Sequence, residues 1–158
     1  MRMSYKGDYA LKTILDLTFR YKDGPVHIED ISKRQDIPLK FLEQILLQLK
    51  KGKFVNSKKG PSGGYYLARR PSAIYLGEVL RYIEGDISPI SCVGNAALEY
   101  PCDFKDKCGF IDIWNRVDKA ISGIVDKVSF ESIRRSMKRK DECLSLPKGK
   151  HAKKDVVR

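Results

Sequence analysis

Residues 28–68 hold two short helical stretches followed at once by a hairpin rich in lysine and glycine. That order constrains the fold more than any other feature of the chain. The first helix fits Ile28–Arg34, with Ile28 and Ile31 turned inward. Asp36-Ile37-Pro38 makes a tight connection, and Pro38 suits the first turn of the next helix, where its missing N–H costs nothing. That helix runs to about Lys51 and buries Leu42, Ile45, Leu46 and Leu49 at helical spacing. Lys40, Glu43, Gln44, Leu47 and Gln48 lie on its other side, and Gly52 is placed to end it. Lys53–Ser57 then reads as a strand, residues 58–64 as a loop, and Tyr65–Ala68 as the returning strand. An ordinary surface hairpin is the plainer alternative, but a helix pair directly ahead of a lysine- and glycine-bearing hairpin describes a winged helix. Lysines supply charge for phosphate, and glycines let a backbone pass close to it.

The flanking segments add helices. Residues 8–21 place Ala10, Ile14, Leu17 and Tyr21 on one face, with Leu11 and Leu15 beside it. Asp8 stands near the start, where it complements the helix dipole and pairs with Lys12 four residues on. Asp23-Gly24-Pro25 breaks this helix. Ser72 is placed to cap a helix over Leu76–Glu84, which Gly85-Asp86 closes. Phe110, Trp114, Val117, Ile121, Ile124 and Val128 recur at alternating spacings of four and three, the seam of a helix packing lengthwise on another helix. Ile113, Ala120 and Val125 widen that stripe. A small winged helix has little left to cover such a face, so a second copy of the chain is the expected partner, with a helix internal to a bundle as the alternative. Ser129 is placed to cap a last helix, Phe130–Arg139. The expected fold class is therefore mainly α with a small β-hairpin wing: a winged helix-turn-helix over 1–86, a loop over 87–109, a dimerisation helix and short helix over 110–139, and a basic tail over 140–158.

That loop, Cys92 to Cys108, holds three of the four cysteines, including Cys102. Free cysteines often serve only as small buried apolar groups. Gly94, Asn95, Pro101 and several charges in the same stretch are not core composition, so a ligand or redox role is the better reading. No secretory leader and no apolar run of about 18 residues is present, which predicts a cytoplasmic protein without structural disulfides and without a membrane span. The formal charge of +11 suggests a polyanionic partner, yet residues 134–158 alone carry ten Lys/Arg against three Asp/Glu. Most of the excess belongs to the tail, which reads equally as a solvated end and as a phosphate-binding arm. With only His27 and His151 as histidines, and no Ser-His-Asp, Cys-His or paired-carboxylate constellation, an enzyme is not expected.

The run Lys-Gly-Asp-Tyr-Ala-Leu-Lys at 6–12, Pro-Leu-Lys-Phe-Leu-Glu-Gln-Ile-Leu at 38–46, the wing Gly-Pro-Ser-Gly-Gly-Tyr at 60–65 and the late cysteines together resemble bacterial Rrf-two-type regulators of the IscR, NsrR and CymR kind, over about residues 1–133. The resemblance implies a homodimeric transcriptional regulator reading dyad-symmetric double-stranded DNA. The helix beginning at Pro38 would enter the major groove, with Lys40, Glu43 and Gln44 as readers. Lys58, Lys59 and the backbone of Ser62, Gly63 and Gly64 would hold phosphate or minor groove. Phe110, Trp114, Val117, Ile121, Ile124 and Val128 would line the dimer interface.

In cluster-binding members, cysteines matching Cys92, Cys102 and Cys108 ligate an iron–sulfur cluster, whose type, 2Fe-2S or 4Fe-4S, stays open here. Thiolates are its usual ligands. Nine residues separate the first two cysteines, a wider spacing than in the well-known members. The histidine that IscR places three residues after its last cysteine is Ile111 here. NsrR-type members use an acid near the start of the first helix, supplied by the other subunit, and Asp8 matches that position. Cys143 lies outside the matched region and reads as a free thiol. The alternative keeps DNA binding without a cluster: Lys105, Lys107 and a helix start beside Cys108 favour a reactive thiolate, or a sulfur-metabolism partner protein sets the response. Zinc is less suited, because structural zinc sites favour cysteines two to four residues apart.

Overall fold

In the computed structural model, residues 3–94, 97 and 102–138 are described. Cys143 and the basic tail lie outside them. Among the described residues, six α-helices and a two-stranded antiparallel hairpin appear in the order α1 (Tyr5–Phe19), α2 (Ile28–Gln35), α3 (Leu39–Lys51), β1 (Val55–Lys58), β2 (Gly64–Leu67), α4 (Leu76–Glu84), α5 (Ile111–Val125) and α6 (Phe130–Lys138).

Helix α1 is the axis of the fold. Ala10, Ile14 and Leu17 are buried, and the helix touches α2, α3, α4, β2 and α6. It starts three residues earlier than the periodicity predicts, because Ser4 caps it: Ser4 Oγ accepts from the Gly7 N–H at 3.1 Å. It ends at Phe19, which leaves Tyr21 exposed beyond the helix. A second bond from the capping residue fixes this end to α4, for Ser4 Oγ donates to Glu84 Oε1 at 2.6 Å. Gly7 is glycine because a Cβ there would overlap that Glu84 carboxylate.

The turn between α2 and α3 is a Schellman closure. Asp36 is left-handed at φ 51°, and the N–H of Ile37 reaches back to Ser32 O at 3.1 Å, with Ile37 itself buried. Pro38 is the N-cap of α3 rather than a first-turn residue. A second Schellman turn ends α3, where Phe54 N–H donates to Leu49 O at 2.9 Å. The left-handed residue there is Lys53, at φ 58°, and not Gly52. Gly52 is needed for another reason: a Cβ on it would press into the rings of Phe54 and Tyr82.

The hairpin pairs Val55 with Leu67 and Lys58 with Gly64. Val26 adds a bridge on the far edge of β2, exchanging two backbone bonds of 2.9 and 2.8 Å with Tyr65. Leu42, Ile45, Leu46 and Leu49 of α3, Phe54, Val55 and Leu67 of the hairpin, and Val79 and Ile83 of α4 close one core with α1. Phe130 of α6 completes it, so residues from beyond the cysteine loop seal the core of the helix pair and hairpin. Ser129 caps α6 as expected, its Oγ accepting from the Ser132 N–H at 3.2 Å. Ser72 does not cap α4. It lies in a short 3-10 turn, Pro71–Ala73, and Tyr75 occupies the cap position.

Candidate nucleic-acid interface and sensor loop

Helix α3 offers its unburied side to solvent. Leu39, Lys40, Glu43 and Gln44 are exposed, while Leu42, Ile45, Leu46 and Leu49 hold the helix down. Its first turn carries no acid and no side-chain cap, so the opening N–H groups and the positive dipole end remain available to an anion. Pro38 is exposed at this end. The pose of α2 against α1 rests on a clamp that no periodicity reveals. Asp16, buried within α1, accepts from Arg34 Nε at 2.9 Å, Arg34 Nη2 at 2.7 Å and Gln35 Nε2 at 3.1 Å. Those bonds hold the Arg34 guanidinium even more firmly in its charged form.

At the wing, Lys58, Lys59 and Ser62 are exposed, but Gly63 is buried and Gly64 is half-buried. Both glycines answer to the protein itself. A Cβ on Gly63 would overlap the Lys58 carbonyl, and one on Gly64 (φ 136°) would overlap the Val26 carbonyl. Their smallness keeps the tip compact and lets Val26 reach β2.

The cysteine loop is rooted rather than loose at its start. Ile87 and Val93 are buried, and Ile87 packs with Leu80 of α4 and Val125 of α5. Cys92 and Cys108 are half-buried, Cys102 is exposed, and all three thiols are free. Asn95 and Pro101 lie outside the described residues. Three free thiols are the right donors for an iron–sulfur cluster. Within a single chain they are not gathered, for among the described residues no three His, Cys, Asp or Glu side chains stand close enough to hold a metal. Asp8 is half-exposed and bound to Lys12 Nζ at 2.6 Å. Ile111, where IscR-type members place a histidine, is the first residue of α5.

Helix α5 is clasped at its C-terminal half. Arg81 of α4 donates to Asp126 Oδ1 at 2.5 Å and to Ser122 Oγ at 2.9 Å, and Val125 and Ile121 pack into the small cluster with Leu80 and Ile87. The N-terminal half is bare: Phe110 is 67% and Ile113 53% exposed, with Ile124 at 65% further along. The exposed apolar residues along it are Phe110, Ile113, Ala120 and Ile124, with Val117 of the predicted seam half-buried beside them. Trp114, Ile121 and Val128 are half-buried. Sequence reasoning also missed an aromatic groove between α1 and α3, where Tyr5 meets Tyr9 at 6.2 Å and Tyr9 meets Phe41 at 6.5 Å between ring centroids. The i,i+4 spacing of Tyr5 and Tyr9 was its only visible signal. Gln44, expected to face DNA, also lines this groove.

A helix pair with an exposed reading face, a lysine-tipped wing and a sealed core define a winged-helix DNA-binding regulator. The Rrf2 family, described as iron-dependent transcriptional regulators, matches residues 3–136, and the chain belongs to it. It is 34% identical over 129 residues to the HTH-type transcriptional regulator IscR of Klebsiella pneumoniae, covering 82% of this chain and 77% of that one. IscR of Photorhabdus laumondii is 34% identical over 133 residues, covering 84% and 79%. Among solved structures, CymR (YrzC), the global cysteine regulator of B. subtilis, superposes with a TM-score of 0.72 at 26% identity, over 86% of this chain and 98% of that one. IscR of T. potens gives 0.67 at 28% identity, over 94% of each. These relatives are regulators of transcription and not enzymes. Among the described residues no helix is long and apolar enough to cross a membrane.

Proposed function

We propose that the chain acts as a homodimer on a dyad-symmetric operator, and that an iron–sulfur cluster held by Cys92, Cys102 and Cys108 sets its affinity. The observation that carries this reading is the position of the thiols. They are free, and the last stands two residues ahead of Phe110, at the bare end of the helix whose apolar stripe asks for a second copy. The similarity to IscR proteins and to an iron-dependent family supports the metal. The fourth ligand is Asp8 of the partner subunit, an acid whose ion pair among the described residues of its own chain is with Lys12, four residues on. Lys40 and Glu43 read bases, and Lys58 and Lys59 hold phosphates.

The test is anaerobic reconstitution of the wild type and Asp8→Ala, followed by absorption spectra, iron and sulfide counts, and operator titration with and without the cluster. A colourless, iron-free wild type ends the cluster reading. An unchanged cluster in Asp8→Ala removes Asp8 as ligand. Equal operator affinity with and without the cluster removes it as the regulator, since only differential binding shifts an equilibrium.

A second reading replaces the cluster with thiol chemistry. Exposed Cys102 and ungathered thiols favour it, as does the likeness to a cysteine regulator. Under that reading a mild oxidant changes operator affinity in iron-free wild type, and Cys102→Ser abolishes the change.

A further inference from the structure

Away from the reading helix and the cysteine loop, the end of α1, the foot of the hairpin and α6 enclose a concavity of about 690 Å³. Four basic side chains line it, Lys22, Arg70, Arg134 and Arg135, against two acids, Asp23 and Glu131. Both acids are engaged. Asp23 stands 3.9 Å from Arg20, while Glu131 accepts from Arg134 Nε and Nη2 at 2.9 and 2.6 Å and from Arg135 Nε at 2.9 Å. Lys22 and Arg70 are exposed, and among the described residues neither side chain has an ion pair or a hydrogen bond. We propose that this concavity binds a small phosphate monoester, its phosphate held by Lys22, Arg70 and Arg135 and its organic body laid against Phe19 and Tyr21.

Three features of the site select that class of ligand, and none of them depends on the cluster. The first is charge. Lys22 and Arg70 arrive from separate segments, three residues beyond α1 and three beyond β2, so their convergence sets like charges against each other. A phosphate monoester carries about −1.5 to −2 at neutral pH, which matches those two unpaired cations. The second is the donor set. Among the described residues Arg135 donates through Nε alone, which leaves both of its Nη groups for phosphate oxygens. Arg134 is spent differently: its fork is closed on Glu131, so it holds that carboxylate away from an incoming anion. The third is the wall. Phe19 is half-buried, Tyr21 is 44% exposed beyond the helix end, and Pro71 lies beside them, so carbon faces the cations across the concavity. Inorganic phosphate has no use for such a wall, whereas an ester lays its apolar body there. A backbone phosphate of DNA shares the head-group chemistry, and the experiment separates the two sources.

The experiment is calorimetric titration and thermal melting of the full chain with phenyl phosphate as probe, beside phenol and inorganic phosphate. The variants are Lys22→Gln, Arg70→Gln and, as a charge-matched control outside the concavity, Lys33→Gln on the exposed side of α2. Phenyl phosphate should bind once per chain and raise the melting temperature, since a ligand of the native state stabilises it by mass action. It should bind at least about tenfold more tightly than inorganic phosphate, because the ring also leaves water. Lys22→Gln and Arg70→Gln should each weaken it about tenfold, the scale of a charged hydrogen bond, and leave melting without ligand at the wild-type value. Lys33→Gln should bind as wild type does. A wild type that fails to take up phenyl phosphate refutes the proposal, and so does inorganic phosphate binding equally well. Equal weakening by Lys33→Gln reduces the effect to net charge and refutes it too. Operator titration on the same variants provides the remaining arm. A salt slope lowered by about one unit in Lys22→Gln and in Arg70→Gln, with phenyl phosphate binding unchanged, assigns these cations to DNA and overturns the ester site.

Discussion

Asp16→Ala is the sharpest test of how the reading helices are oriented. The Asp16 side chain is 5% exposed, while that of Arg34 is 32% exposed. An exposed ion pair contributes about 0–1 kcal/mol, and breaking a buried one by removing a partner costs about 3–5 kcal/mol. Here removal of the carboxylate leaves a guanidinium that still touches water, which lowers the cost, and strips Gln35 of an acceptor, which raises it. The balance falls at about 2–3 kcal/mol. Arg34→Ala leaves the better-buried partner with Gln35 alone and should cost slightly more, about 3–4 kcal/mol. Urea unfolding followed by circular dichroism measures both, and a chain of this length should lose roughly 3 °C of melting temperature per kcal/mol. The double variant completes a cycle whose coupling should be about 2 kcal/mol, because the two losses are one interaction counted twice. A cost for Asp16→Ala below about 1 kcal/mol, or a coupling indistinguishable from zero, would mean that the clamp behaves as a solvated surface pair. Either result refutes the claim that it sets the pose of α2.

Gly64→Ala should cost about 3 kcal/mol or more and weaken operator binding in a gel-shift titration, since its Cβ meets the fixed backbone carbonyl of Val26. Gly60→Ala, at φ 102° with open space around it, should cost only the backbone strain, about 1–2 kcal/mol. Ile113→Lys with Ile124→Lys should yield a folded monomer in sedimentation, whereas Ile121→Lys should lower the melting temperature because Ile121 packs into the cluster beneath α5. Lys59→Ala should reduce the salt slope of DNA binding by about one unit at every site, while Glu43→Ala should change which site is preferred. Hydrogen bonds from Arg134, opposed by burial and reinforced by Arg135, hold the Glu131 carboxyl down at about 2 against an ordinary 4.5. A depressed carboxyl stabilises above its unfolded value, so the advantage of wild type over Glu131→Gln, about 1 kcal/mol after solvent screening, should be full at neutral pH and fade between about pH 4.5 and 2.

What could be read from the chain followed from what each signal encodes. Burial of Leu42, Ile45, Leu46 and Leu49 came directly from spacing, because a helix on a core repeats its contact every three to four residues. The wing came from turn chemistry, which is local as well. The clamps were invisible for the same reason in reverse. Asp16 meets Arg34 and Arg81 meets Asp126 only after the chain has folded, and a charge in a sequence carries no mark of its distant partner. Gly52 misled because glycine is the usual left-handed residue at a helix end, yet packing against Phe54 and Tyr82 claimed it and Lys53 took the strained turn. At the candidate site the residue types were legible and their assembly was not. Under the proposed function the three thiols of one loop form a ligand set, but nothing in a single chain says where that set is completed.

The bare end of α5 supplies the physical basis for coupling under the proposed function. Ser122, Val125 and Asp126 are pinned to α4, and Gly94 passes close to Asp118 midway along the helix. Phe110 and Ile113 at the other end are unpinned, and that end is the one joined to Cys108. A helix of 15 residues is about 22 Å long, so a tilt of about 5° about the pinned end displaces the free end by roughly 2 Å. Two reading heads must meet major grooves about 34 Å apart, and phosphate contacts lose their geometry over displacements of that size. The reading head itself need not deform: one core running from Ala10 to Phe130 resists it. A ligand on the loop then acts by choosing between two placements of the free end. Its regulatory strength equals the difference in its affinity for those placements, so stiffening α5 at the sensor end should weaken regulation without weakening the tightest DNA complex.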